Sequence, residues 1–319
     1  QKIMSQHVRQ NVVAMTGYVP GEQPAGRDIV KLNTNENPYP PSPAVIEALR
    51  SLDPDRLRRY PDPTCATLRE ALAAYHGCRP SQILVGNGSD EVLALCLRAL
   101  TENDGAIGYF EPSYSLYPVL ADIQGVGKRP VPLDGDFAWR EPGADAGSPF
   151  FVTTPNAPTG VAYPVAAVAS FVRRYSGVVV LDEAYVDFAD YHFLDLALQS
   201  DNALVVRTFS KSFSLAGLRV GYAVGPENLI RALGKIKDSY NVDAISQELA
   251  LAAVGSADYM RENVNRVRAT RARVAAELAE RGWRVFPSQT NFLWACPPGV
   301  SAKNLFEQLR QKRILVRYF

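Results

Sequence analysis

Residues 177–185 read Gly-Val-Val-Val-Leu-Asp-Glu-Ala-Tyr. Val178 to Leu181 is apolar at every position, the pattern of a strand covered on both faces of a sheet rather than on one. An acid follows at once. Working outward, five further short apolar runs read as strands: Gln82 to Val85, Ala106 to Phe110, Pro149 to Thr153, Ala203 to Thr208 and Arg219 to Val224. Helical stretches separate several of them, among them Asp90 to Leu100 and Val165 to Tyr175. Strands alternating with helices imply an α/β fold whose mostly parallel sheet is sandwiched by helices.

The segments at either side complete the outline. Leu32 to Pro43 is rich in Pro and Asn and reads as an extended loop. Pro43 to Leu52 starts a helix with Ser42 or the preceding turn as its cap. In Thr67 to His76, Leu68, Leu72 and Tyr75 share one face and Gly77 ends the helix. After Pro226 long helices dominate: Asn228 to Lys237, Ala244 to Val254 and Ala257 to Arg281. A strand pair (Trp283 to Phe286, Asn291 to Ala295), a helix and a last short strand follow. This is a second, smaller α/β unit. The expected division is an N-terminal arm with part of the small domain over 1–35, a large domain over 36–230 and a small C-terminal domain over 231–319.

Composition excludes several classes. Lys plus Arg total 34 and Asp plus Glu 33, so there is no basic excess to hold a nucleic acid. No apolar run approaches the length needed to cross a membrane, and Gln1 to Asn11 is too polar for a signal peptide. Cys65, Cys78, Cys96 and Cys296 form no CxxC and read as reduced thiols of a cytoplasmic protein. His7, His76 and His192 have no metal-ligand spacing. Gly125-Val126-Gly127-Lys128 completes neither a GxGxxG nor a Walker A motif, and no GxSxG elbow is present.

In open α/β sheets ligands collect at the carboxyl ends of strands. Gly86-Asn87-Gly88-Ser89-Asp90-Glu91 follows the first strand and opens a helix whose N–H groups favour an anion. Pro155-Asn156-Ala157-Pro158-Thr159-Gly160 is a rigid turn. Asp182 ends its strand where it needs a partner if buried. Thr208-Phe209-Ser210-Lys211-Ser212, with Arg219 beyond, offers an amine nucleophile beside an anion pocket. One ligand with a phosphate, a ring nitrogen and an aldehyde accounts for all four: pyridoxal 5′-phosphate.

The sequence resembles the fold-type I pyridoxal-phosphate aminotransferases, and most closely the histidinol-phosphate branch. The resemblance rests on Lys31-Leu-Asn-Thr-Asn-Glu-Asn-Pro38, Arg59-Tyr-Pro-Asp62, the Gly86 turn, the Pro155 turn, Leu181-Asp-Glu-Ala-Tyr185 and Thr208-Phe-Ser-Lys-Ser212 through Ala216-Gly-Leu-Arg-Val-Gly221. It implies that Lys211 binds the cofactor aldehyde and then moves the substrate proton. Asp182 pairs with the ring N–H, staying ionised with a lowered pKa. Tyr185 and Asn156 reach the ring oxygen, and Tyr114 stacks on the ring. Ser210, Arg219 and the backbone N–H groups of Ser89 and Asp90 hold the phosphate. Tyr60 reaches the neighbouring subunit's cofactor in a homodimer. Tyr18, Asn35, Asn241 and Arg317 line the substrate side.

The implied reaction is transamination of L-histidinol phosphate with 2-oxoglutarate, in histidine biosynthesis. The alternatives are decarboxylation of a phosphorylated amino acid such as threonine phosphate, transamination of aromatic amino acids, and a non-catalytic binding module. Lys211 and Asp182 together speak against the last. Ala157 departs from the second Asn that is common in the family turn. The resemblance also implies a further strand beyond Phe319 whose Arg clamps the substrate anion. With Gln1 in place of Met, the sequence reads as part of a longer protein. A chain ending at Phe319 is expected to bind cofactor yet lose turnover.

Overall fold

A seven-stranded sheet places the ends of six strands along one edge. In the computed structural model, which describes residues 7–24, 26 and 28–319, the strands are β1 (Val30–Lys31), β2 (Ile83–Gly86), β3 (Ala106–Glu111), β4 (Gly127–Pro132), β5 (Phe150–Thr153), β6 (Val179–Asp182), β7 (Ala203–Thr208), β8 (Gly221–Val224), β9 (Arg284–Val285), β10 (Ala295–Cys296) and β11 (Ile314–Leu315). The helices are α1 (Gln10–Ala14), α2 (Pro43–Arg50), α3 (Ala66–His76), α4 (Gly88–Leu100), α5 (Leu116–Gln124), α6 (Val165–Arg174), α7 (Leu194–Gln199), α8 (Glu227–Ile236), α9 (Ala244–Gly255), α10 (Ala257–Glu280) and α11 (Ala302–Gln311).

The large sheet runs β2-β8-β7-β6-β5-β3-β4. All its strands are mutually parallel except β8, which is antiparallel to β2 and β7. That exception matters. Reversal brings the beginning of β8, with Arg219 before it, to the edge where the other strands end. Gly221 pairs with both Gly86 and Thr208.

Successive residues alternate between the two faces. Phe151, Val180 and Leu204 pack under α4, α5 and α8 with Val92, Tyr117 and Leu233. Phe150, Val179 and Val205 pack on the other side with Phe171, Val168 and Ala197 of α6 and α7. Burial of each such Val, Leu or Phe contributes about 1.5–3 kcal/mol. The continuous apolar runs of the sequence are these doubly covered strands.

Local signals behave as expected. Ser42 Oγ accepts from Val45 N at the start of α2, and Gly77 closes α3 at φ 67°. Three departures have physical causes. β4 has no counterpart among the sequence-read strands, because it is a largely exposed edge strand that carries Lys128, Arg129 and two prolines. α7 is a short helix of six residues, too brief for a periodic signal. The strand read over Asn291 to Ala295 is β10, Ala295–Cys296, preceded by a loop pinned by Ser288 and Thr290 to the Phe292 carbonyl.

β1 pairs in parallel with β11, and β9 with β10 in antiparallel fashion. The early segment around residue 30 therefore joins the C-terminal one. Of the arm expected over 1–35, residues 1–6, 25 and 27 lie outside the described residues. Among the described residues no helix is long and apolar enough to cross a membrane. The four cysteines are free, Cys65 and Cys96 buried and Cys296 exposed. No metal-ligand cluster occurs there. His76 is a structural histidine. Its Nε2 meets the Tyr222 hydroxyl at 2.9 Å, and burial lowers its pKa to about 3.

Candidate active site

Asp182 ends β6 and Glu183 follows it in extended continuation, so alternation sends the two side chains to opposite faces. Glu183 is 1% exposed and turns into the core. It accepts from Arg207 Nε at 2.8 Å and from Phe193 N at 2.6 Å. Burial opposes the Arg207 charge, and Glu183 more than offsets this, so Arg207 stays protonated. Asp182 is buried on the other face. Its Oδ2 accepts from the Tyr117 hydroxyl at 2.8 Å and its Oδ1 from Ala184 N at 3.2 Å.

Burial pushes the Asp182 carboxyl up to about 6, against the lowering by the Tyr117 and Ala184 hydrogen bonds. This differs from the lowered pKa that the resemblance implies. Among the described residues no cation is among the groups acting on Asp182, so bringing its pKa below the ordinary value takes a cationic ligand atom in addition to these hydrogen bonds.

Lys211 sits just beyond β7, partly buried. Its Nζ donates to Thr34 O at 2.9 Å and lies 5.6 Å from the centre of the Tyr185 ring. The Asn33–Asn37 segment crosses this lysine. Asn35, at φ 54°, donates from Nδ2 to Tyr185 Oη at 3.0 Å. Asn37 donates from Nδ2 to the carbonyls of Lys211 and Ser212 at 3.0 and 3.1 Å. Asn291 in turn donates to Asn35 O at 3.0 Å. Tyr185 is thus held between Asn35 and the edge of Phe292, 5.1 Å away.

Arg219 forms the floor of a polar cup. Its Nη1 donates to Ser210 Oγ at 3.3 Å and its Nη2 to Asp90 Oδ2 at 3.2 Å. Ser210 Oγ also accepts from Thr208 Oγ1 at 2.9 Å. The backbone is pressed close here. A Cβ on Gly221 would lie 2.3 Å from Ser89 N, and one on Gly88, at φ 83°, would lie 2.6 Å from Arg219 Nη2. Only glycine fits at either place. The first-turn N–H groups of α4, Ser89 and Asp90 among them, have no partner within the helix. With Arg219 and Ser210 they present donors to one anion.

Tyr114 projects beside the cup. Its hydroxyl donates to Asp90 Oδ1 at 3.0 Å, and Tyr18 meets its ring edge-on at 6.1 Å. Asn156 is fully buried. Both its amide hydrogens are used, on Pro112 O at 3.0 Å and Thr159 Oγ1 at 2.9 Å, while its buried Oδ1 has no partner.

These residues fit a phosphorylated pyridine aldehyde. The anion cup takes the phosphate, the desolvated acid a cationic ring N–H, Lys211 the aldehyde, and Asn156 Oδ1 is an acceptor still open to a ligand group.

Three sequence-expected residues stand apart from this cluster. Asn241 accepts from Lys237 Nζ at 3.1 Å and donates to Glu91 Oε2 at 2.8 Å, at the start of α4. Tyr60 is 81% exposed and stacks on Tyr240, with ring centres 4.4 Å apart. Arg317 is exposed and lies over the ring of Phe319. Sequence reading missed Tyr117, Thr153, Asn37 and Asn291. Tyr117 carried no signal of its own, since Tyr114, three residues earlier, lies in the turn before α5 and not on the same helix. Asn37 stood in a quoted motif without a role.

The chain matches the model of the aminotransferase class I and II family over residues 27–319. It is 46% identical over 314 residues to the histidinol-phosphate aminotransferase of Geobacter sp. (strain M21), covering 98% of this chain and 90% of the relative. It is 44% identical over 316 residues to that of Geobacter sulfurreducens, with the same coverage. Among solved structures, histidinol-phosphate aminotransferase from Sinorhizobium meliloti in complex with pyridoxal-5′-phosphate superposes with a TM-score of 0.89 at 26% identity, covering 98% of this chain and 89% of that one. Aspartate aminotransferase from Thermus thermophilus shares the fold, with a TM-score of 0.76 at 21% identity over 90% of this chain and 83% of that one. The chain belongs to the class I and II aminotransferases, on their histidinol-phosphate aminotransferase branch.

Proposed function

We propose that this protein transfers the amino group of L-histidinol phosphate to 2-oxoglutarate, giving imidazole-acetol phosphate and glutamate, with pyridoxal 5′-phosphate as cofactor. The observation that carries the reading is the convergence of Lys211, the buried acid Asp182 and the Ser210–Arg219 cup on one sheet edge. It occurs in a chain whose relatives are histidinol-phosphate aminotransferases.

The bound cofactor supplies a ring that takes up the electron pair left when the substrate's α-proton departs. Lys211 Nζ would hold the cofactor aldehyde and, as a free amine, would take up and return that proton. Asp182 holds the ring N–H through its carboxylate. Tyr185, fixed by Asn35, orients the ring oxygen, with Asn156 beside it. Tyr114 covers the ring face and helps exclude water. Arg219, Ser210 and the N–H groups of Ser89 and Asp90 bind the phosphate. Tyr18, Asn35, Asn241 and Arg317 are assigned to the substrate side.

Residues 36–230 are assigned as the cofactor-binding domain and 231–319, with part of 1–35, as the smaller one, a division supported by the β1–β11 pairing. A homodimer follows from the same reading, with Tyr60 reaching the partner's site. The exposed Leu49, Leu57, Tyr60 and Tyr240 support it, as does an apolar cleft of about 130 Å³ between Leu52, Leu57 and Ile245. Four unpaired thiols agree with a cytoplasmic location.

A product assay tests the assignment. Glutamate formation requires L-histidinol phosphate, 2-oxoglutarate and pyridoxal phosphate together, and Lys211→Ala abolishes it. Release of CO₂ from threonine phosphate, with no glutamate from histidinol phosphate, contradicts it.

A further inference from the structure

Beneath Asp182 runs a line of three hydroxyls from three different elements. Ser113, in the turn after β3, is 3.1 Å from Thr153 Oγ1 at the end of β5. Thr153 Oγ1 is 2.6 Å from the Tyr117 hydroxyl on α5. Tyr117 donates to Asp182 Oδ2 at 2.8 Å. Thr153 is 2% exposed and Tyr117 fully buried, its ring stacked on Phe151 at 4.8 Å. Both are therefore fixed by packing rather than by the acid.

The direction of the line is set at one end. An ionised carboxylate only accepts. Tyr117 must then spend its proton on Asp182, which leaves its oxygen to accept from Thr153, and Thr153 to accept from Ser113. Hydrogen bonds in series polarise one another, so each strengthens the last. The other groups facing Asp182 do not help it hold charge, the Ala184 N–H apart. Asp90 of α4 and Glu183, just past β6, are carboxylates that oppose it. The half-buried Tyr114 and the buried Cys96 are neutral groups whose own ionisation Asp182 disfavours.

We propose that the Ser113–Thr153–Tyr117 hydroxyl line is the device that keeps Asp182 ionised and aimed, with Tyr117 as its positioning residue. The proposal rests on the reading of Asp182 as the partner of the cofactor's ring nitrogen. Burial alone drives this acid toward its neutral form, which cannot pair with a cationic N–H. A hydrogen bond to the charged form counters that. The phenol is raised well above 10, chiefly by burial, so it remains a donor at every working pH.

The test uses Tyr117→Phe, which keeps the ring in the core, and Thr153→Val, which keeps the side-chain shape and leaves Tyr117 intact. The readout is the pH midpoint of the buried carboxyl band in infrared difference spectra of the cofactor-free protein. Pyridoxal-phosphate affinity across pH is measured alongside. A charge-assisted hydrogen bond is worth enough to move the midpoint by about one unit. Tyr117→Phe therefore raises the midpoint by about one unit, from about 6, and affinity falls about tenfold at pH 5 but only about twofold at pH 7. Thr153→Val shifts both in the same sense by less. Midpoints unchanged in folded variants overturn the proposal. If Tyr117→Phe does not fold, Thr153→Val decides by the same sign. A wild-type protein that fails to bind pyridoxal phosphate overturns the cofactor assignment, while the carboxyl midpoint still decides the hydroxyl line.

Discussion

Lys211 Nζ donates to the backbone oxygen of Thr34, 177 residues earlier in the chain, at 2.9 Å. The segment that supplies this oxygen also supplies Asn35 to Tyr185 and Asn37 to the Lys211 and Ser212 carbonyls. One early loop thus fixes the amine's backbone and orients the neighbouring phenol, and it precedes every strand of the large sheet.

Asn37 is therefore expected to set where the amine sits. Asn37→Ala removes both bonds to the lysine loop. A misplacement of the order of an ångström costs up to about a hundredfold in rate, and the expected loss in kcat is about tenfold, with KM changed less. Proton transfer then limits turnover, so the isotope effect with α-deuterated substrate rises. A fall in kcat with an unchanged isotope effect would point to general loosening instead.

Asp182 carries a stability cost that its function explains. Its pKa in the folded chain, raised to about 6 by burial, exceeds the ordinary 3.8. The folded state therefore holds a proton that the unfolded one releases between these values. Stability from this group is present below about pH 4 and is lost as pH rises through 6. The loss is about 3 kcal/mol. Asp182→Asn should leave the cofactor-free protein a few degrees more heat-stable than wild type at pH 8 and no more stable at pH 4. Pyridoxal-phosphate affinity should fall at both. Thermal unfolding at the two pH values checks the sign.

The contact between β8 and the start of α4 leaves no room for a methyl group. Gly221→Ala would place a carbon 2.3 Å from Ser89 N. The backbone must shift, at about 1–3 kcal/mol, and the shift displaces the N–H groups assigned to the phosphate. Calorimetric titration with pyridoxal phosphate should show at least tenfold weaker binding, with a smaller effect on free pyridoxal, which lacks the phosphate. Equal losses for the two ligands would contradict the assignment of the cup.

The Glu183–Arg207 pair is structural. Arg207→Met leaves Glu183 a buried carboxylate without its cation, a change that costs about 3–5 kcal/mol. The double variant Glu183→Gln/Arg207→Met recovers most of that loss. A double-mutant cycle by chemical denaturation gives the coupling, and additivity of the two changes would contradict the pairing.

Much of this was legible in the sequence. The doubly covered strands wrote themselves as unbroken apolar runs, so β6 and β7 could be placed together with Asp182 and Lys211 at their ends. β4 was not legible, since an exposed edge strand has no buried face to constrain its composition. Tyr117 and Asn37 were missed for a different reason. Each acts through a single hydrogen bond donor aimed at a residue far along the chain, and no periodicity or local spacing encodes such a contact. Asn241 and Arg317 were named from a motif, and their contacts here are with Glu91 and Lys237 and with Phe319.

The central claim is that Lys211 and the residues around it exchange an amino group with L-histidinol phosphate through pyridoxal phosphate. The most direct measurement is the absorption spectrum of the loaded protein, before and after addition of L-histidinol phosphate without 2-oxoglutarate. The account predicts that the near-visible band of the lysine-bound cofactor gives way to that of pyridoxamine phosphate, and that 2-oxoglutarate restores it. A lysine-bound band that ignores histidinol phosphate, or no band after incubation with pyridoxal phosphate, would contradict it.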